Sequence, residues 1–362
     1  MIEVGIIGAS FANTAYLPAL RLIEAARVTA IASARLDSAR QAAASFGVPH
    51  AYDDWRRMLA DHRFDLVCIA TPTVTHAPMT LAALAAGAHV LCEKPMAMNA
   101  AEAETMLACA VQQGRLHMID HELRFDPNRR RIKQLIDSGA LGALRHATVT
   151  NVGASWADPA SRDQGDWWSL SDQGGGRLGA NGSHQIDLLR WWFGEIAAVC
   201  GMVRTLVPNR LDKVAGRPWT ATADDYVQFN LEMAAGGQAS VMITTVAHHG
   251  LKNETLITGS EGSVLLSNDS ETLLFAPKGT PLAKQLVDNP YATLPGIHAG
   301  IWTQAVVGAL REFCSAISEG RALREGATFE DGLRNQRVMD AIRQSESERR
   351  WVALTPVDEA GL

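Results

Sequence analysis

Two side chains in this sequence have the types and settings to handle the proton of a substrate hydroxyl: Lys94, in Leu91-Cys92-Glu93-Lys94-Pro95, and His184, in Gly182-Ser183-His184-Gln185-Ile186-Asp187. Taking hydride from a carbinol requires the hydroxyl proton to leave as the C–H bond breaks. A base must therefore reach that oxygen, and a cation should stabilise the developing alkoxide. A lysine and a histidine can supply those two roles. Lys94 follows an apolar run that reads as a parallel strand, and ligands of such sheets bind in the crevice outside the strands' carboxyl ends. Pro95 then fixes the direction of the chain.

The elements that must position these residues are legible as a repeating pattern. Glu3-Val4-Gly5-Ile6-Ile7-Gly8-Ala9 is a short apolar strand ending in small residues, and a helical periodicity follows from Thr14 to Ala26. A second strand spans Val28–Ser33, and a helix follows, ended by Gly47. Further strands at Asp65–Thr71 and His89–Pro95 enclose a helix closed by Gly87. Continuously apolar strands alternating with helices imply a parallel sheet covered on both faces, and right-handed crossovers make it doubly wound. Residues 1–121 are expected to form this dinucleotide-binding domain.

Beyond His121 the texture changes. Residues 122–362 are expected to form a second α/β domain built on a large, open, mainly antiparallel sheet, because segments such as 224–233, 238–249 and 254–267 alternate or run apolar between turn residues. From about Thr303 to Ser345 the pattern returns to helices, which could pack back on the first domain.

A dinucleotide pyrophosphate needs a strand-to-helix turn that its backbone can approach closely, with the helix N-terminus facing the anion. Here the turn reads Gly8-Ala9-Ser10-Phe11-Ala12-Asn13, so the G-x-G-x-x-G pattern keeps its first glycine, with Ser10 and Asn13 in the other two places. After the second strand, where an NAD site carries an acid for the ribose 2′-OH, the chain has Ser33-Ala34-Arg35. A hydroxyl and a guanidinium suit a 2′-phosphate, so NADP is expected in preference to NAD.

Composition narrows the class. Of 362 residues, 47% are hydrophobic and 20% charged, with a net charge of −6, which suits a globular chain and argues against a nucleic-acid partner. The one basic run, Arg129-Arg130-Arg131, reads as a solvated helix face. Five dispersed cysteines without Cys/His ligand spacing suggest reduced thiols, no disulfide framework and no metal. With no signal-like or membrane-spanning segment, a cytoplasmic location is expected.

Together, Ala70–His76 (ATPTVTH), Cys92–Pro95 (CEKP) and Gly174–Asp187 (GGGRLGANGSHQID) make the chain resemble the Gfo/Idh/MocA oxidoreductases over essentially its whole length. The resemblance implies a Rossmann domain followed by an α/β domain whose open sheet makes oligomer contacts, as a homodimer or homotetramer. It implies reversible oxidation of a secondary alcohol on a sugar, cyclitol or related ring. Thr71, Pro72 and His76 would then line the cofactor alongside Gly8, Ala9, Ser10 and Phe11. Glu93 would lie near its ribose or nicotinamide, and Lys94 would meet the small-molecule substrate.

One departure stands out. Where the family commonly carries an Asp one turn before the histidine, this chain has Ala180. If the segment is α-helical, Ala180, His184, Asp187 and Trp191 share a face. Asn181 could substitute as an uncharged hydrogen-bonding group, and Asp187 could orient His184 or simply pack. Arg124, in a segment similar to the family's RF-x-P element, and Arg177 and Trp168 are further substrate-binding candidates. A dihydrodiol dehydrogenase for an aromatic acid and a non-catalytic, dinucleotide-binding regulator are the alternatives.

Overall fold

The computed structural model describes residues 1–251, 253–267 and 271–355. Its chain opens with β1 (Ile2–Ile7), a π-helical turn (Ala12–Tyr16) leading into α1 (Leu17–Leu20), β2 (Ala26–Ala32), α2 (Leu36–Phe46), β3 (His50–Tyr52) and α3 (Trp55–Asp61). It continues with β4 (Leu66–Ile69), α4 (His76–Ala85), β5 (His89–Cys92), α5 (Ala100–Gln112) and β6 (His117–Ile119). All six strands pair in parallel in the order β3-β2-β1-β4-β5-β6. That is the doubly wound order with its switch point between β1 and β4.

The strands of this sheet are apolar without alternation because both faces are covered. In β4, Leu66 and Cys68 join one cluster with Val4, Ile6 and Tyr16, while Val67 and Ile69 join another with Val90, Leu84 and Met106. Asn99 starts α5 by accepting the backbone N–H of Glu102, and Gly47, in the left-handed conformation, ends α2.

The second set of elements is α6 (Pro127–Asp137), β7 (Leu144–Val152), a π-helical turn (Leu178–Gly182) running into α7 (Ser183–Phe193), β8 (Ile196–Arg204), β9 (Asn209–Asp212) and β10 (Arg217–Thr220). It continues with β11 (Tyr226–Met233), β12 (Gln238–Thr244), β13 (Glu254–Gly259), β14 (Gly262–Ser267), β15 (Thr272–Pro277) and β16 (Ala283–Lys284). The chain then forms α8 (Ile301–Glu319), α9 (Phe329–Glu348) and β17 (Val352–Ala353). A nine-stranded sheet runs β16-β15-β14-β13-β7-β12-β11-β8-β17, in which β12 and β7 are the parallel pair and the other pairings are antiparallel. Its strands alternate buried and part-exposed residues, as in β13 and β14.

Contacts divide the chain into two compact units, Met1–Asp126 with Asn289–Arg334 and Pro127–Asp288 with Asn335–Leu362. Helix α8 belongs to the first, where Val306, Leu310 and Phe313 are buried with Val4, Ile6 and Tyr16. Among the described residues no helix is long and apolar enough to cross a membrane, and no cluster of His, Cys, Asp or Glu could hold a metal ion.

One expectation fails here. Arg129 does not lie on a solvated face but is buried, because it shares the inner stripe of α6 with Ile132 and Leu135. Its carbonyl accepts the Trp192 indole N–H at 3.3 Å, and its guanidinium stands 3.9 Å from Glu271.

Candidate active site

In the first unit the candidate residues gather where parallel strands end. Gly8 leaves β1 with φ 106°, and a Cβ there would sit 2.0 Å from the Ala70 carbonyl oxygen, so only glycine lets β1 and β4 finish side by side. The helical run opens at exposed Ser10, with Ala9 buried and Phe11 half-buried, and Phe11 packs edge-on against Tyr16 at 5.5 Å. A glycine-only close approach followed directly by a helix start fits a dinucleotide phosphate. Ser33 comes immediately after β2, and Arg35, exposed, is the N-cap residue of α2.

After β4, Thr71 and Pro72 form a turn closed on itself. The Thr75 hydroxyl donates to the Pro72 carbonyl at 2.7 Å and meets the Thr71 hydroxyl at the same distance. The ring of His76 is buried between two carbonyls, with Nε2 2.9 Å from Thr71 O and Nδ1 2.9 Å from Pro95 O. Burial lowers its pKa, so the neutral ring donates to one of them. His76 thus ties the turn after β4 to the turn after β5.

Lys94 stands two residues past β5, is half-buried, and is joined to Pro95 by a cis peptide bond. Its backbone N–H lies 3.3 Å from Glu93 Oε2. The other Glu93 oxygen accepts the Tyr16 hydroxyl at 2.8 Å, and the same hydroxyl is 3.0 Å from Asp120, the residue that follows β6. The sequence reading missed both Tyr16 and Asp120. Asp120 carried a usable signal, since it occupies the position after a strand that Glu93 occupies after β5.

Arg124 requires a correction as a substrate ligand. Its buried guanidinium donates to the Gly326 carbonyl at 3.0 Å and grips both carboxylate oxygens of Asp331 at 3.2 Å, so it fastens the start of α9.

In the second unit, His184 lies wholly buried in the first turn of α7, and Asp187, one turn on, is buried with it. The expected continuous α-helical face does not extend back to Ala180. Residues 178–182 form a π turn closed by Ser183 N–H to Leu178 O, and the residue this inserts breaks the i, i+4 relation between Ala180 and His184. The spacing of His184, Asp187 and Trp191 stands within α7.

The π turn is pinned from outside. Asp224 accepts the Leu178 N–H at 2.7 Å, and the Arg177 N–H reaches the Asp224 carbonyl at 3.0 Å. A Cβ on Gly176 would come within 2.3 Å of the Asp224 carboxylate, which explains that glycine. Burial raises the pKa of Asp224, against the lowering effect of Arg343 and these N–H groups. Asn335 holds the Ser183 carbonyl at 2.7 Å, a further anchor of the histidine's turn.

Asn181 accepts from Arg177 Nη1 at 3.1 Å, and the Arg177 guanidinium lies 3.8 Å from the ring centroid of buried Trp156. Burial and then Arg162 depress the Arg177 pKa to about 10, so it stays charged at neutral pH. Trp168 stacks on Trp167 with centroids 4.2 Å apart.

A doubly wound sheet with a glycine-only first turn, a lysine at a strand's carboxyl end and a separate unit built on a large sheet defines a dinucleotide-binding oxidoreductase. Comparison with known proteins agrees. Residues 2–121 match the family described as oxidoreductase family, NAD-binding Rossmann fold (GFO/IDH/MocA), and residues 129–265 match the GFO/IDH/MocA C-terminal domain. The chain is 30% identical to levoglucosan dehydrogenase from Pseudarthrobacter phenanthrenivorans, over 89% of this chain and 88% of that one. It is 26% identical to inositol 2-dehydrogenase from Rhizobium meliloti, over 98% and 99% respectively. A solved levoglucosan dehydrogenase in complex with NADH and levoglucosan superposes with a TM-score of 0.87 at 28% identity, covering 98% of this chain and all of the other. The protein belongs to the GFO/IDH/MocA oxidoreductase family.

Proposed function

We propose that this protein transfers hydride between a nicotinamide cofactor and a secondary alcohol or ketone of a sugar, a cyclitol or a related cyclic diol. The observation that carries the reading is the placement of Lys94. It stands two residues past β5, at the carboxyl edge of a sheet whose first turn only glycine can make, with its backbone held by Glu93. The sugar- and inositol-related names of the relatives support the substrate class.

In this reading Lys94 and His184 act on the substrate hydroxyl, one as base and the other as stabiliser of the alkoxide. Asn181 and Asp187 orient the substrate or the imidazole, and Trp168 offers an aromatic face to a ring. Gly8, Ala9, Ser10 and Phe11 form the phosphate turn, with Thr71, Pro72 and Glu93 along the cofactor. Ser33 and Arg35 favour NADP through its 2′-phosphate. A homodimer or homotetramer would use the outward side of the large sheet, where half-buried Leu256, Leu265 and Leu274 stand in register across β13, β14 and β15. Working in the cytoplasm fits the free cysteines.

The test is a titration with NADPH and NADH followed by tryptophan fluorescence, then a panel of sugars, cyclitols and dihydrodiols with the oxidised cofactors. Tighter NADPH binding with turnover on one ring class is the expected result. Tight binding without turnover on any of them would overturn the enzymatic reading in favour of a dinucleotide-binding regulator.

A further inference from the structure

The Tyr16 hydroxyl stands between Glu93 and Asp120, at 2.8 and 3.0 Å, in an interior where Tyr16 and Asp120 are fully buried. A phenol has one proton to give. It satisfies one carboxylate, and the other carboxyl must bring its own proton or leave two sets of lone pairs opposed at hydrogen-bond distance. The three groups therefore share one carboxyl proton and keep one negative charge.

The surroundings agree on where that proton sits. Burial, then Glu93 and Glu122, push the Asp120 carboxyl well above the usual carboxylate range, which makes Asp120 the neutral acid. Its Oδ1 is buried without a hydrogen-bond partner, as suits an uncharged group better than a carboxylate. Of the other groups facing the cluster, burial keeps Tyr16, Cys68 and Cys92 protonated, and it lowers the pKa of His76. Glu122 is the remaining acidic neighbour. Cys314, facing Cys68 from α8, is pushed up to about 12.

Glu93 and Asp120 follow β5 and β6, on the half of the sheet from β4 to β6. A dinucleotide laid across a doubly wound sheet puts one nucleotide on each half, and with the adenosine ribose read after β2 the nicotinamide falls on this one. Its ring is cationic when oxidised and neutral when reduced. We propose that the Tyr16–Glu93–Asp120 cluster holds one fixed negative charge beside the nicotinamide and so favours binding of the oxidised cofactor over the reduced one, an inference that rests on the cofactor reading above.

The experiment is calorimetric titration of wild type, Glu93→Gln and Asp120→Asn with NADP+ and NADPH, comparing the ratio of the two dissociation constants. Glu93→Gln removes the charge and is expected to raise the oxidised-to-reduced Kd ratio about tenfold, the scale of a unit charge acting over several ångströms inside a protein. Asp120→Asn replaces one neutral group by another and is expected to keep the ratio within about twofold of wild type. Glu93→Asp keeps the charge and should keep the preference, and Glu93→Ala serves as a second charge-removing variant if the glutamine protein does not fold. Parallel weakening of both cofactors in the charge-removing variant would overturn the proposal and leave the cluster a structural tie. Absence of binding by wild type would instead overturn the cofactor reading itself.

Discussion

The surroundings of Lys94 and of His184 are built on opposite principles. Lys94 takes its place from a sheet edge: β4, β5 and β6 end in register, so Thr71, Glu93, Lys94 and Asp120 arrive together as the residues after strands. Acidic groups are concentrated there and share a proton. His184 takes its place from a helix whose first turn is irregular and is pinned by Asp224 and Asn335 from distant segments. There Ala180 stands where the resemblance implies a carboxylate, and beside it an amide, Asn181, accepts from the Arg177 guanidinium. Parallel strands position chemistry by alignment, whereas a helix entry positions it by local insertion and borrowed anchors. The first arrangement is rigid by construction, and the second depends on each anchor.

That contrast can be broken most forcefully at Lys94. Lys94→Ala is expected to lower kcat by about 10³-fold, within the usual span for loss of a proton-transferring group. Cofactor Kd should stay within about threefold, because the Glu93 contact is to the lysine's backbone. Loss of cofactor binding would show that the side chain serves the dinucleotide instead. A smaller effect is expected from loosening the anchor on the other side. Asp224→Ala leaves the Leu178 N–H without its acceptor, at a cost of about 1–3 kcal/mol, and should lower kcat about tenfold while the oxidised and reduced cofactors bind as before. An unchanged kcat would mean that α7 holds His184 without help.

The smallest effect concerns stability against pH. The folded-state pKa of Asp120 is raised, so its contribution to stability is fully present below the unfolded value of about 3.9 and is lost as pH rises towards the folded value. Asp120→Asn has no such loss. The variant's Tm relative to wild type should therefore climb between pH 4 and pH 7, by a few degrees in a thermal-melt series. A constant offset would place the shared proton on Glu93.

How much of this was legible in the sequence follows the same division. The alternation of β1 to β6 with helices could be read because strands buried on both faces leave continuous apolar runs such as Leu66–Ile69. Gly8, Glu93 and Lys94 could be read because they sit at strand ends. The antiparallel sheet was visible in the alternation of β11 to β14. The π turn at Leu178–Gly182 was not, since one inserted residue leaves no mark in the residue types, and the helical spacing drawn through Ala180 carried across it. Tyr16 and Asp120 are 104 residues apart, and Asp224 and Leu178 are 46 apart, so only folding brings them into contact. Arg124 and Arg129 were misread for a shared reason. A charged side chain suggests solvent or ligand until its ion-pair partner, Asp331 or Glu271, comes into view.

The imidazole of His76, between the carbonyls of Thr71 and Pro95, bears on how this fold can be altered. A single ring sutures the two turns, reaching from the first to a carbonyl nineteen residues beyond itself. Lengthening or shortening either turn moves one end of the suture and pulls on the other. The turn along the cofactor and the turn that carries Lys94 must therefore be redesigned as a pair, so a grafted loop after β4 should bring its own Cys92–Pro95 segment with it.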